Sequence, residues 1–319
     1  GDTLEQRDIG TTASTLYAYE KGARIFRVHN VKQNKLALKL WQEIDQNEPI
    51  PEHILKRMEE LRQKGAILPE EKYIKRPTMI EGIRKASLLN KQVLDEVAKH
   101  IHVGMSTQAI DDIVKDFTEK NGGICAPYHY EGFPKHVCTS INSVVCHGIP
   151  KHIQKLHDGD IVNVDCTTIV DGYYGDASRM FCIGNISEER RKLVEETKKC
   201  LEIGLAAAQP WNTVGDIGYA IQKYATSKGY SVVRELGGHG VGIEFHEDPF
   251  VAHVGKKGTG MVLVPGMILT IEPMINLGKA AVVFDPYDNW TISTRDGKDS
   301  AQWEYTILIT ENGNEVLSY

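Results

Sequence analysis

The sequence predicts an α/β protein of two matching halves, each a pair of helices followed by strands. Three observations carry this. Residues 160–181 read as a β-hairpin about Asp171-Gly172, because an Asp-Gly pair flanked by β-branched and aromatic residues is a strong two-residue turn signal. Helical patterns precede that hairpin at 78–99 and 107–120, and recur after it at 188–208 and 213–228. Ile110, Phe117 and Gly122 fall at the same spacing as Ile217, Tyr224 and Gly229, a faint internal repeat. The interface between two related halves is the natural place for a site.

Composition narrows the class. The chain has 319 residues, 41% of them hydrophobic, enough for a sizeable core. Its longest apolar runs are far too short to span a membrane, and no apolar core follows a basic start as in a secretory signal. Six cysteines are scattered without a C-x-x-C pair. That argues against a zinc finger or a disulfide scaffold and favours a reducing, cytoplasmic setting. A net charge of −6 gives no support to nucleic-acid binding as the main task.

Residues 1–77 read as an extension of the main domain. The first twenty are polar and weakly patterned, and are expected to be mobile or extended. Short alternations over 24–41 (Ile25, Arg27, Val28; then Leu36, Leu38, Leu40) suggest one or two strands. A short helix is expected over 52–64, with Ile54, Leu55, Met58 and Leu61 on one side. No catalytic chemistry is expected in this segment. Its basic residues are a candidate contact for the ribosome, with a solvated strand face as the plainer reading.

The domain proper is expected over 78–319. Thr78-x-x-Glu81 has the form of a capping box, and Asn121-Gly122-Gly123 stops the second helix. Ser187 precedes the third helix and Thr213-x-x-Asp216 opens the fourth. Strands are expected at 267–271 and 305–310.

Within this frame the polar residues make a pattern. Folding the hairpin about its turn pairs Val170 with Tyr173, Thr167 with Asp176 and Asp165 with Ser178. Asp165 and Asp176 then share one face as diagonal neighbours, roughly 7 Å apart. Two carboxylates aimed at one spot need a shared proton or a cation; seen alone, such a pair is more often simply solvated. Residues 237–242 put four glycines around His239 in what reads as a flexible turn, with His246 following. Glu272 and Glu304 each interrupt an apolar strand, and a buried acid needs a partner. Four acids and one imidazole form a ligand set for two divalent cations. An oxygen-rich set with one nitrogen suits manganese, iron, cobalt or zinc.

These stretches, together with GGHGVG-x3-FHEDP, TIEPM, SAQWEYT and NSVVCHGIP, closely resemble the type I methionine aminopeptidases over residues 78–319. The resemblance implies the pita-bread fold, a mainly antiparallel sheet covered by helices in two pseudo-symmetric halves. It implies removal of the initiator methionine from nascent polypeptides when the second residue is small, by a bridging hydroxide on a dinuclear metal centre. Asp165, Asp176, His239, Glu272 and Glu304 match the metal ligands, with Asp176 and Glu304 bridging. His147 matches the histidine near the substrate amine, and His246 the one that hydrogen-bonds the tetrahedral intermediate. Glu272 doubles as the proton-transfer group. Tyr130, Phe133, Cys138, Phe245 and Trp290 match the methionine pocket. Asn142, Val144 and Ser300 match a site for a monovalent cation. A monomer is expected.

Three departures qualify the match. The interval from Glu272 to Glu304 leaves no room for the helical insertion of type II enzymes. The first 77 residues contain no cysteine, so the zinc-finger extension of some relatives is missing. Glu131 stands where some relatives carry a histidine. Two other readings stand beside this one. A prolidase or Xaa-Pro aminopeptidase would share the fold, but has an arginine at the position of Gln302. A non-catalytic binding protein of the same shape would have broken ligands, and none of the five is replaced.

Overall fold

The computed structural model describes residues 3–20, 23, 25–46 and 49–319. Contacts divide the chain into two compact units, Gly1–Pro51 and Glu52–Tyr319. The expected boundary at 77 falls inside the second unit.

In the first unit, helix α1 (Leu4–Glu20) packs on helix α2 (Val31–Gln46). Both replace expectations. Residues 4–20 are helical rather than extended, and the leucine alternation at 36–40 lies on a helix rather than a strand. Val31 to Gln46 is rich in Lys, Gln and Leu, all good helix formers, and has few β-branched residues. The Asn30 side-chain oxygen accepts the Gln33 N–H at 3.2 Å, fixing the start of α2. Gly1, Asp2 and Arg24 lie outside the described residues.

The second unit opens with α3 (Glu52–Arg62), burying Ile54 and Met58 as its apolar spacing required. Helix α4 (Pro77–His100) follows. Its start corrects the capping-box expectation: Pro77 occupies the first turn, Arg76 is the N-cap, and no side chain caps it. Proline's fixed φ and missing N–H suit that position, so the helix begins one residue before Thr78. Helix α5 (Thr107–Lys120) is capped by Ser106. Five strands come next: β1 (Ile124–Cys125), β2 (Cys138–Ile141), β3 (Val144–Cys146), β4 (Ile161–Val170) and β5 (Tyr173–Cys182).

The second half repeats the plan. Ser187 caps α6 (Glu188–Ala207) and the Thr213–Asp216 capping box opens α7 (Val214–Ser227). Strands β6 (Ser231–Val232), β7 (Gly237–Gly240), β8 (Glu247–Ala252), β9 (Ile268–Ile271), β10 (Met274–Asn276), β11 (Val282–Phe284), β12 (Ile292–Thr294), β13 (Ser300–Gln302), β14 (Glu304–Thr310) and β15 (Gly313–Ser318) complete the chain. The repeat positions behave alike. Ile110 and Ile217 are both fully buried, and Gly122 and Gly229 both turn the chain at positive φ after their helices.

Nine strands form one curled sheet in the order β1-β4-β5-β14-β9-β7-β8, with β15 on β14 and β2 on β4. Every pair in it is antiparallel. Strand β14 joins the halves, lying between β5 of the first and β9 of the second. Helix α4 packs on β4 and β5, burying Leu89, Val93, Leu94 and Val97 against Val162, Val164 and Cys166. This is the pita-bread architecture.

Candidate active site

The hairpin register is the one its turn dictates. Val170 pairs with Tyr173, Thr167 with Asp176 and Asp165 with Ser178. Asp171 and Gly172 both take positive φ, 52° and 86°, the conformation a tight two-residue hairpin turn requires. Ser178 also pairs with Glu304 across β14, so Asp165 and Glu304 flank it from either side. Tyr305 pairs with Ile271, which brings Glu272 beside Glu304. His239 comes from the neighbouring β7. The Gly-rich segment is therefore not a flexible turn but a strand. Its glycines are there for close packing: a Cβ on Gly238 would lie 2.3 Å from the Thr270 carbonyl oxygen.

These side chains converge. Ligand atoms of Asp176, His239 and Glu304 all lie within 4.8 Å of one another. His239 Nε2 is 3.7 Å from Asp176 Oδ2 and 3.7 Å from Glu272 Oε1. Glu304 is within hydrogen-bonding reach of both Asp165 and Glu272. Burial, then repulsion among the acids, holds Asp176, Glu272 and Glu304 well above the usual carboxylate range. Burial pushes Asp165 up to about 7. His239 is held down at about 3 and His147 at about 4, by burial and then the neighbouring His246.

The donor set fits divalent metal. His239 Nδ1 lies 2.9 Å from the Gly240 carbonyl oxygen, which can only accept. The proton therefore sits on Nδ1, and the bare lone pair of Nε2 faces the acids. Among the described residues, no Lys or Arg lines the surrounding cavity to pair with the four acids. A cation from outside would displace the protons these acids hold and meet the exposed lone pair as well.

Several supports went unread in the sequence. Thr270 Oγ1 donates to Glu272 Oε1 at 2.9 Å and accepts the His239 N–H at 3.0 Å, tying two ligands together. Gln302 Nε2 donates to Glu272 Oε2 at 3.0 Å. Thr167 Oγ1 donates to Asp176 Oδ1 at 2.8 Å. Buried His253 accepts the Glu272 N–H at 3.1 Å. The available signal was a polar residue two positions before each strand glutamate.

A cavity of about 690 Å³ opens onto the cluster, lined by Tyr130, Phe133, Cys138, His147, Phe245, His246 and Trp290 among others. Phe133 meets Trp290 edge-on at 5.1 Å, and His147 meets Trp290 at 5.9 Å. Phe245 stacks on His246 at 4.4 Å, and His246 Nδ1 is 2.9 Å from the Tyr130 hydroxyl. All the residues expected in the methionine pocket thus face one space. Apart from it, the Asn142 carbonyl accepts the Ser300 N–H at 2.9 Å, and Val144 begins β3 two residues on. Those three are neighbours, but they do not line the cavity.

The model of metallopeptidase family M24 matches residues 81–311. The chain belongs to metallopeptidase family M24. It is 49% identical over 240 residues to methionine aminopeptidase A of a Synechocystis strain, covering 75% of this chain and 94% of that one. It is 44% identical to methionine aminopeptidase of Escherichia coli K12, covering 77% and 93%. The crystal structure of methionine aminopeptidase from Rickettsia prowazekii superposes with a TM-score of 0.76 at 42% identity, covering 77% of this chain and 99% of that one. The M24 residues of this chain include every strand of the nine that carries a candidate ligand.

Proposed function

We propose that this protein is a methionine aminopeptidase that removes the initiator methionine from nascent polypeptides with a small second residue. The observation that carries this reading is one apolar, sulfur-bearing cavity ending on three buried acids, the half-buried Asp165 and a neutral imidazole. Aromatic and thiol groups suit a thioether side chain. Asp165, Asp176, His239, Glu272 and Glu304 would hold two divalent ions. Those ions would polarise the scissile carbonyl and make water nucleophilic near neutral pH.

The chain's own groups supply the rest. Phe133 and Trp290 form the rigid wall against which the methionine lies. Burial keeps the Tyr130 hydroxyl protonated, and in this reading it donates to His246 Nδ1, 2.9 Å away. The proton of His246 then sits on Nε2, for the carbonyl oxygen as negative charge develops there. His147, neutral at physiological pH, accepts from the substrate amide. Glu272, steered by Thr270 and Gln302, takes a proton from the attacking water and returns it to the leaving amine.

Release of methionine from Met-Ala, Met-Val and Met-Leu peptides, with and without chelator, tests this. Release is expected from Met-Ala in preference to Met-Leu, lost with chelator and restored by divalent metal. Cleavage of Ala-Pro in preference to Met-Ala would overturn it in favour of a prolidase.

A further inference from the structure

Residues 71–76 run as a strap into α4, in the stretch that seemed free of catalytic duty. Lys75 N–H donates to the Gly266 carbonyl at 2.8 Å, and Ile74 bridges Met267. Lys75 then turns its side chain inward. Its ammonium meets the Glu247 carboxylate, with the two side chains only 1% and 5% exposed. A buried ion pair is costly to form and rarely accidental, because removing either partner strands a charge. Here it has a further connection. The other Glu247 oxygen accepts the Ile243 N–H at 2.8 Å and the Glu244 N–H at 3.0 Å. Tyr73, also on the strap, donates to Asp248 at 3.2 Å. The loop so bound, residues 243–247, carries Phe245 and His246 into the cavity.

We propose that Lys75 is a positioning residue. By clamping Glu247 it ties this loop to the strap and so fixes where His246 and Phe245 meet the substrate. Glu247 acts as the hub, with one oxygen on the lysine and the other on two loop amides. Lys75 is not among the described residues that line the cavity, and its ammonium pairs with Glu247; its effect passes through the loop. The proposal rests on the peptidase reading for its kinetic part alone.

The test has two arms. In the metal-free protein, hydrogen exchange at the Ile243 and Glu244 amides is compared between wild type and Lys75→Met. We expect at least ~10-fold faster exchange there, with the amides of β4 and β5 unchanged. This arm needs no activity, so it stands even if methionine release fails in the wild type. In the kinetic arm, Lys75→Met lowers kcat on Met-Ala-type peptides by ~10–100-fold, the scale of a misplaced catalytic contact. In a His246→Ala background the same change costs less than about threefold, because the group it positions is gone. A loss of stability alone would lower both backgrounds equally. Should Lys75→Met fail to fold, the pair Lys75→Met with Glu247→Gln removes both charges while keeping an acceptor for the loop amides. That pair is expected to fold yet still exchange fast at 243 and 244 with low kcat. Wild-type exchange and kcat in the double variant, or equal losses in both His246 backgrounds, would overturn the proposal.

Discussion

The fixed period of the pleat and the register set by an Asp-Gly turn put Asp165 and Asp176 on one face. Thr270 ties Glu272, two residues on, to the His239 backbone far back in the chain, a link that the sequence does not display, and Lys75 likewise holds the distant Glu247. For Thr270, replacement by valine keeps the shape and removes the hydroxyl. We expect a 10–100-fold loss of metal affinity, read by calorimetric titration, because the carboxylate and the His239 backbone lose their common anchor. The raised acids predict a pH effect on the metal-free protein. A carboxyl with a higher pKa folded than unfolded adds stability at low pH, and loses it as pH rises through the folded value. Asp165, at about 7, sits in that window. His147 and His239 are depressed to about 4 and 3, so they oppose stability only below the ordinary histidine value of about 6.5. Between pH 6.5 and 8 the raised acids outweigh the waning histidine contribution, to which the depressed His246 and His253 also belong. The melting temperature of metal-free protein should fall across that interval, and saturating divalent metal should abolish the fall.

Elements in the M24 region were read well because periodicity and caps agreed there. Ser187 and Thr213 mark helix starts, and the buried Ile110 and Ile217 sit where the repeat put them. Errors came where local signals conflicted. Leucines two apart at 36–40 mimic a strand in a stretch whose composition favours helix, and Pro77 outcompeted Thr78 for the start of α4. The hairpin itself is vulnerable at two glycines. Gly172→Val forces a β-branched residue into positive φ and should cost about 1–3 kcal/mol by urea unfolding. At Gly175 a Cβ would lie 2.4 Å from the Ser87 nitrogen on α4. Gly175→Ala should therefore cost at least as much, since backbone rather than a side chain must move, and should weaken metal binding by shifting the adjacent Asp176.

For the whole molecule, the two-half plan was visible as a faint repeat, whereas the curl of the sheet was not. Closure depends on long-range pairing of β14 with both β5 and β9, which no window of sequence displays. The site residues all belong to Glu52–Tyr319. Removing Gly1–Pro51 should therefore leave kcat/KM on short peptides within about threefold of the full chain, measured with metal saturating. A chelator should lower the melting temperature of either form, because ions binding only the folded state stabilise it by mass action.

The placement of β14 also bears on how the protein is born. Glu304 heads the strand that sits between the halves, and of the five candidate ligands it is the last to be synthesised. Until it slots into the gap, one half holds two aspartates and the other a histidine and a glutamate, each an incomplete set of candidate ligands. A chain synthesised only as far as Glu272 is thus unarmed, and its cutting power arrives in a single step, with the keystone.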